Sequence, residues 1–153
     1  MIKKIDIDNL KPALDLVNNI FTEFVAVEYS EQGQNTFKTY LENKYEEISA
    51  DLHTGNKKLW GYYKNNEIIG VIGTRDTSHI SLMFVDKNYH RQGIARQLFN
   101  HVLFELSKNS EIKQITVNSS PYAKKVYERF GFIKIYEKQE KNGIIFIPMK
   151  LLI

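Results

Sequence analysis

Residues 79–85 (His-Ile-Ser-Leu-Met-Phe-Val) form an almost wholly apolar run, and one turn later residues 94–108 place apolar side chains at 94, 95, 98, 99, 102, 103 and 106. A strand with apolar residues at consecutive positions has no face for water, so it belongs inside a sheet covered on both sides. The helix that follows has one broad apolar face and can supply one of those covers, with Arg96, Asn100 and Lys108 left outside. This strand, turn and helix unit fixes the centre of a layered α/β domain.

The rest of the chain arranges itself around that unit. Residues 2–7 alternate apolar and charged like a short strand, and residues 9–27 place Leu10, Ala13, Leu14, Val17, Ile20, Phe21 and Phe24 on one helical face. A turn at 30–33 precedes a second helix with Phe37, Tyr40, Leu41, Tyr45, Ile48 and Leu52 inward. The pattern then becomes β-rich: residues 59–64 and 67–74 flank Asn65-Asn66, a dipeptide tolerant of positive φ, and predict a hairpin. Residues 112–118 predict a strand, 121–130 a short helix, 132–137 a strand, and Asn142-Gly143 a tight turn into a last strand at 144–151. No repeat or Pro/Gly/Ser-rich linker interrupts the 153 residues, which are expected to form one domain. The architecture expected is mixed α/β: a twisted, mostly antiparallel sheet of about six to seven strands with helices on both faces.

Composition narrows the chemistry. Without cysteine there is no disulfide framework, no thiolate zinc site and no thiol nucleophile, which fits a reducing, cytoplasmic setting. His53, His79, His90 and His101 lack metal-ligand spacing, so no catalytic metal is expected. Asp6 and Asp8 replace the apolar run a signal peptide needs, and the longest apolar stretch, 144–147, is too short to span a bilayer. Basic pairs at 3–4, 57–58 and 124–125 are scattered among acids, which argues against a nucleic-acid stripe. The net charge of +3 suits a small polyanionic ligand. Trp60, Tyr62 and Tyr63 would cover either the sheet or a homodimer interface.

The turn at 86–93 could receive a pyrophosphate. The first N–H groups of a helix have no intrahelical partner and point out along its positive end, small residues at 93 and 95 allow close approach, and Arg91 and Arg96 add cations. Gly93 and Ala95 are also what a helix packed tightly on a sheet would carry. No Gly-Lys-Ser/Thr follows, so this is no P-loop, and a single glycine makes no dinucleotide fingerprint.

Residues 84–95 (Phe-Val-Asp-Lys-Asn-Tyr-His-Arg-Gln-Gly-Ile-Ala) and 123–132 (Ala-Lys-Lys-Val-Tyr-Glu-Arg-Phe-Gly-Phe), in this order, resemble the GNAT superfamily of acyl-CoA-dependent N-acetyltransferases. The resemblance covers essentially the whole chain and implies a GNAT-like fold with acetyl-CoA as co-substrate. The family's pyrophosphate motif, Arg/Gln-x-x-Gly-x-Gly/Ala, falls on 90–95, with His90 in the usual Arg/Gln seat. By resemblance His90, Arg91, Gln92, Gly93, Ile94, Ala95 and Arg96 hold the phosphates, and main-chain groups of Met83, Phe84 and Val85 hold the pantetheine arm. Ser120, where many members carry Asn, stands with Ala123 and Tyr127 near the thioester. Tyr127 would protonate the departing thiolate, a phenol of pKa ~10 facing a thiol of roughly 8.5.

The implied reaction moves the acetyl group of acetyl-CoA to a primary amine of a small molecule by direct attack in a ternary complex, since no cysteine can carry an acyl intermediate. The alternatives are a protein N-terminal or lysine acceptor, and a non-catalytic acyl-CoA-binding module. For the general base the sequence offers His79 and Glu28, with Asp76 a further carboxylate. Glu23, Glu28 and Glu31 cluster around the first helix and its turn; facing the pocket, they would favour a cationic acceptor.

Overall fold

The computed structural model of the chain describes residues 1–43 and 45–153, without the side chains of Leu41 and Asn43. Its elements run β1 (Ile2–Lys4), α1 (Leu10–Ile20), α2 (Glu31–Asn43), α3 (Tyr45–Thr54), β2 (Lys57–Lys64), β3 (Glu67–Arg75) and β4 (His79–Val85). They continue with α4 (Ile94–Ser107), β5 (Gln114–Ser119), α5 (Lys124–Arg129), β6 (Ile133–Lys134), β7 (Gln139–Lys141) and β8 (Ile144–Leu152). The strands form an open sheet in the order β1-β2-β3-β4-β5-β8-β6, with β7 paired to β8. Every pairing is antiparallel except β4 with β5.

The hairpins follow from backbone chemistry. Asn65 and Asn66 have φ of 52° and 64°, and Asn142 and Gly143 have 53° and 79°, so each central pair adopts the twist that a two-residue hairpin needs. Helices cover both faces, as expected. Leu98, Phe99, Val102 and Leu106 of α4 pack with Ile72, Ile80 and Ile115 on one side, while Leu10, Ala13, Leu14 and Val17 of α1 and Ile48 of α3 pack with Val71 and Leu82 on the other. Trp60 is 4% exposed, its ring edge-on to His101 of α4 at 5.8 Å, so it covers the sheet and not an outer surface.

Several expected elements are differently bounded. The 9–27 helix is regular only to Ile20; a π-helical turn at Phe21–Val25 and a 3-10 turn at Ala26–Glu28 follow. That wider turn lets Phe21, Val25 and Ala26 share one cluster. The second helix is two, α2 and α3, and Leu41 falls outside the described side chains. The strand expected at 132–137 pairs only at Ile133–Lys134, after which the chain rejoins β8 through β7, giving eight strands where six to seven were expected. Helix α5 begins at Lys124, not Pro121, because residues 121–123 form a turn closed by the Ser120 hydroxyl accepting from the Ala123 N–H at 3.1 Å. Among the described residues, no helix is long and apolar enough to cross a membrane.

Two irregularities in β4 make the site. Gly73 pairs with Leu82 and Thr74 with Ile80, so Ser81 is an extra residue, a bulge that bends the strand. On its other edge β4 meets β5 only at His79–Thr116 and Ile80–Val117. Beyond Ile80 the strands part, and alternate main-chain groups of 81–85 face a gap instead of a ladder partner.

Candidate active site

The gap opens into one cavity of about 1170 Å³ that runs from the start of α4, past β4, to the π-helical turn and α2. At the α4 end the first intrahelical bond joins the Gln97 N–H to the Gly93 carbonyl at 3.0 Å. The N–H groups of Ile94, Ala95 and Arg96 are therefore left for a ligand. Gly93 has φ +76°, and a Cβ built there would meet only the Gln97 side-chain amide, at 4.0 Å. Glycine is required there by the backbone angle, and the space in front of it is open, which suits a bulky polyanion.

The side chains expected around that cradle divide. Arg91, Gly93, Ile94, Ala95 and Arg96 line the cavity, whereas Gln92 is exposed outside it. Arg96 is partly committed: Nη2 donates to the Arg129 carbonyl at 3.0 Å and the guanidinium lies 4.9 Å from the Phe130 ring centre. It ties the start of α4 to the end of α5 and so positions the helix carrying Tyr127. His90 also lines the cavity, but its Nε2 donates to the Val85 carbonyl at 2.9 Å, since a carbonyl can only accept. That bond turns the imidazole toward the end of β4. Lys125 and Arg129, which the sequence reading passed over, also border the cavity.

Met83, Phe84 and Val85 line the middle, opposite Ser120, Ala123 and Tyr127. Tyr122, in the turn before α5, is 46% exposed and stacks on Phe24 at 5.7 Å, while Tyr127 of α5 is 4% exposed between Phe130 and Phe132. Burial pushes the Tyr127 phenol far above its ordinary pKa. Among the described residues its hydroxyl meets no hydrogen-bond partner, although the ring borders the cavity. A hydroxyl that borders the cavity without a protein partner can bond to water or to a ligand there.

At the far end His79 is half-buried, its Nδ1 2.8 Å from the Thr116 hydroxyl and its Nε2 without a partner among the described residues. Burial, and then the Arg75 charge, lower its pKa to about 4 against an opposing effect of Asp76. The imidazole is thus neutral at physiological pH. Glu28 is not among the lining residues; its carboxylate stands beside Tyr29, and one of its oxygens is buried without a partner. Glu23 pairs with Lys87 at 2.7 Å on the exterior, and Glu31 borders a separate shallow groove. The acids clustered around the first helix and its turn thus do not line this cavity.

That end is walled instead by Phe21, Tyr29, Phe37, Tyr40 and Phe146. Helical periodicity marked three of them as core. Nothing local marked Phe146, because the tip of the β7–β8 hairpin reaches the cavity only by docking on α2, where the Thr36 hydroxyl shares its one proton between the Gln32 carbonyl at 2.8 Å and the Asn142 carbonyl at 2.9 Å.

Comparison with known proteins agrees with this geometry. The family profile for the acetyltransferase (GNAT) domain matches residues 25–153. Among solved structures, a GCN5-related N-acetyltransferase from Rhodopseudomonas palustris superposes with a TM-score of 0.80 at 14% identity, covering 100% of this chain and 95% of that one. The PaiA N-acetyltransferase of Thermoplasma acidophilum, solved with coenzyme A, gives 0.79 at 14% identity, covering 100% and 98%. The UPF0157 protein YqkA of Bacillus subtilis (strain 168) is 26% identical over 103 residues, 65% of this chain, and the chain spans only 30% of that protein's length. A domain match over residues 25–153, on a sheet that parts beside a helix-start cradle, means that the chain belongs to the GNAT family of acetyltransferases.

Proposed function

We propose that the protein transfers an acetyl group from acetyl-CoA to a primary amine of a small molecule, by direct attack in a ternary complex. The observation that carries this reading is the parting of β4 from β5 after Ile80, with open N–H groups at the start of α4 on one side and the unpartnered Tyr127 hydroxyl on the other. The co-substrate supplies a thioester whose carbonyl carbon accepts the amine nitrogen. The Ile94–Arg96 N–H groups and Arg91 hold its phosphates, and main-chain groups of 83–85 face the gap its arm would thread. As the C–N bond forms and the C–S bond breaks, the amine loses a proton and the sulfur gains one. Tyr127 donates to the sulfur. Its raised pKa is matched by the thiol's, because the same apolar surroundings penalise both anions.

By position His79, which lines the acceptor side, is the group to take the amine's proton, through Nε2 or a water. Its lowered pKa makes it a weak base, so it takes the proton once the C–N bond has formed and the nitrogen is acidic; Glu28 lies outside the lining. The docked hairpin narrows that side, which favours a small amine over a protein chain. Thiol release from acetyl-CoA across primary amines, aminoglycosides, amino acids and peptides tests the reading. Release with a small amine is expected. Coenzyme A binding without release would leave a binding module, and release with peptides alone would move the acceptor to proteins.

The state of His79 also sets a pH dependence of stability. Its folded pKa of about 4 lies below the ordinary 6.5, so between those values the unfolded chain binds a proton that the fold refuses. Tm is expected to fall as pH drops from 6.5 toward 4. In His79→Gln that part of the slope should disappear; an unaltered slope would show that the imidazole titrates normally in the fold.

A further inference from the structure

The charges around the cavity are of one sign. Its charged lining residues, histidines aside, are Arg75, Arg91, Arg96, Lys125, Arg129 and Lys141, and among the described residues no aspartate or glutamate lines it. The four at the α4 and α5 end have the phosphates of the co-substrate to meet. Arg75 and Lys141 do not: Arg75 closes β3 directly across from His79, and Lys141 closes β7 beside the docked hairpin tip. The nearby acids lie outside the lining, and one of them, Asp76, holds part of the Arg75 guanidinium. Asp76 binds Arg75 Nη1 at 2.7 Å but is 74% exposed, Asp51 lies 3.7 Å from Lys57, and Glu28 stands outside the lining beside Tyr29. Lys57 adds another cation behind the wall, donating to the Tyr40 hydroxyl at 2.7 Å. Between these cations the surface is aromatic, with Phe21 and Phe37 stacked at 4.0 Å.

We infer that the acceptor is an amino carboxylate with an apolar or aromatic body, and that Arg75 and Lys141 receive its carboxylate while its amine faces β4. The inference rests on the acetyl-transfer reading above and names its substrate class. A polyamine or aminoglycoside brings further ammonium groups, which need carboxylates to replace lost water, and this cavity offers none in its lining. An amino carboxylate brings one anion to two cations and an apolar body to aromatic walls. Its remaining amine, once neutral, is the nucleophile. Arg75 keeps donors for this task, because Asp76 occupies a single Nη.

The test compares phenylalanine, its carboxamide and 2-phenylethylamine, which share an amine and an aromatic body but differ at the carboxylate, with spermidine as polycation, at equal concentrations of free amine. The full-length protein is expected to show kcat/KM for phenylalanine roughly tenfold or more above that for the carboxamide or 2-phenylethylamine, as charge-assisted hydrogen bonds provide. Spermidine should be the poorest. Arg75→Gln and Lys141→Gln should each lower the ratio of phenylalanine to 2-phenylethylamine, through KM for phenylalanine, and the double variant should bring it near one. Because the readout is a ratio, a general loss of fold does not imitate it. Equal rates for the three, a preference for spermidine, or a ratio indifferent to both substitutions would overturn the inference while leaving acetyl transfer standing. Coenzyme A binding with no thiol released from any of the four or from the wider amine panel would overturn both.

Discussion

Tyr127→Phe is expected to lower kcat by about 10²–10⁴-fold, the range in which a positioned general acid contributes, with little change in the affinity for acetyl-CoA. The substitution removes one oxygen. The ring is buried between Phe130 and Phe132 and holds α5 against α4, so removing the whole side chain would damage the fold and report nothing about chemistry. Phenylalanine keeps that packing. Among the described residues the hydroxyl has no protein partner to strand, so Tm should stay nearly level. In the proposed reaction acetyl-CoA binding draws on the helix-start cradle and on Arg91, which the substitution does not touch. A fall in kcat with Tm and Kd preserved can then be assigned to the lost proton donor. An undiminished kcat would remove Tyr127 from the reaction and leave the thiolate to be met by solvent.

The contrast between Tyr127 and Glu28 shows what a linear sequence can carry about this site. The cradle was legible because it is local: a strand, a turn with glycine at φ +76° and a helix start lie within twenty consecutive residues, and backbone geometry does most of the binding. Tyr127 was legible through its resemblance alone. The six-residue α5 is too short for its periodicity to say which of its side chains face the cavity. The acceptor end was the least legible. Its shape depends on a π-helical turn that rotates Phe21 and Val25 out of α-helical register, and on a hairpin tip that meets α2 more than a hundred residues away along the chain. The acids near Glu28 read as a charged pocket only until Glu23 is seen to pair outward with Lys87 and Glu31 to border another groove. Charge in a cluster says little without the direction of the backbone beneath it.

Gly143→Ala is expected to destabilise the fold by about 2–5 kcal/mol and to weaken acceptor use more than acetyl-CoA binding. Two costs combine. At φ +79° an alanine bears left-handed backbone strain of roughly 1–2 kcal/mol. Its Cβ would also run into the Gly33 main chain and come within 2.6 Å of the Ser30 hydroxyl, an overpacking cost of about 1–3 kcal/mol. Gly33 and Gly143 are thus a matched pair, each lacking a side chain because the other's backbone occupies the space, and the contact seats the hairpin on α2. Relief of the collision would lift the tip, break the Thr36–Asn142 bond and displace Lys141, Ile144 and Phe146 from the acceptor end. The Gly93 cradle lies at the opposite end of the cavity and should keep its affinity. Gly55→Ala isolates the strain, for Gly55 has φ +85° with nothing within 4 Å of the added carbon. The loss of Tm at Gly143 should therefore clearly exceed that at Gly55, with KM for the amine raised only in the former. Equal losses at the two positions would mean that the hairpin can shift off α2 without cost, and that the wall it lends the acceptor is not fixed by this contact.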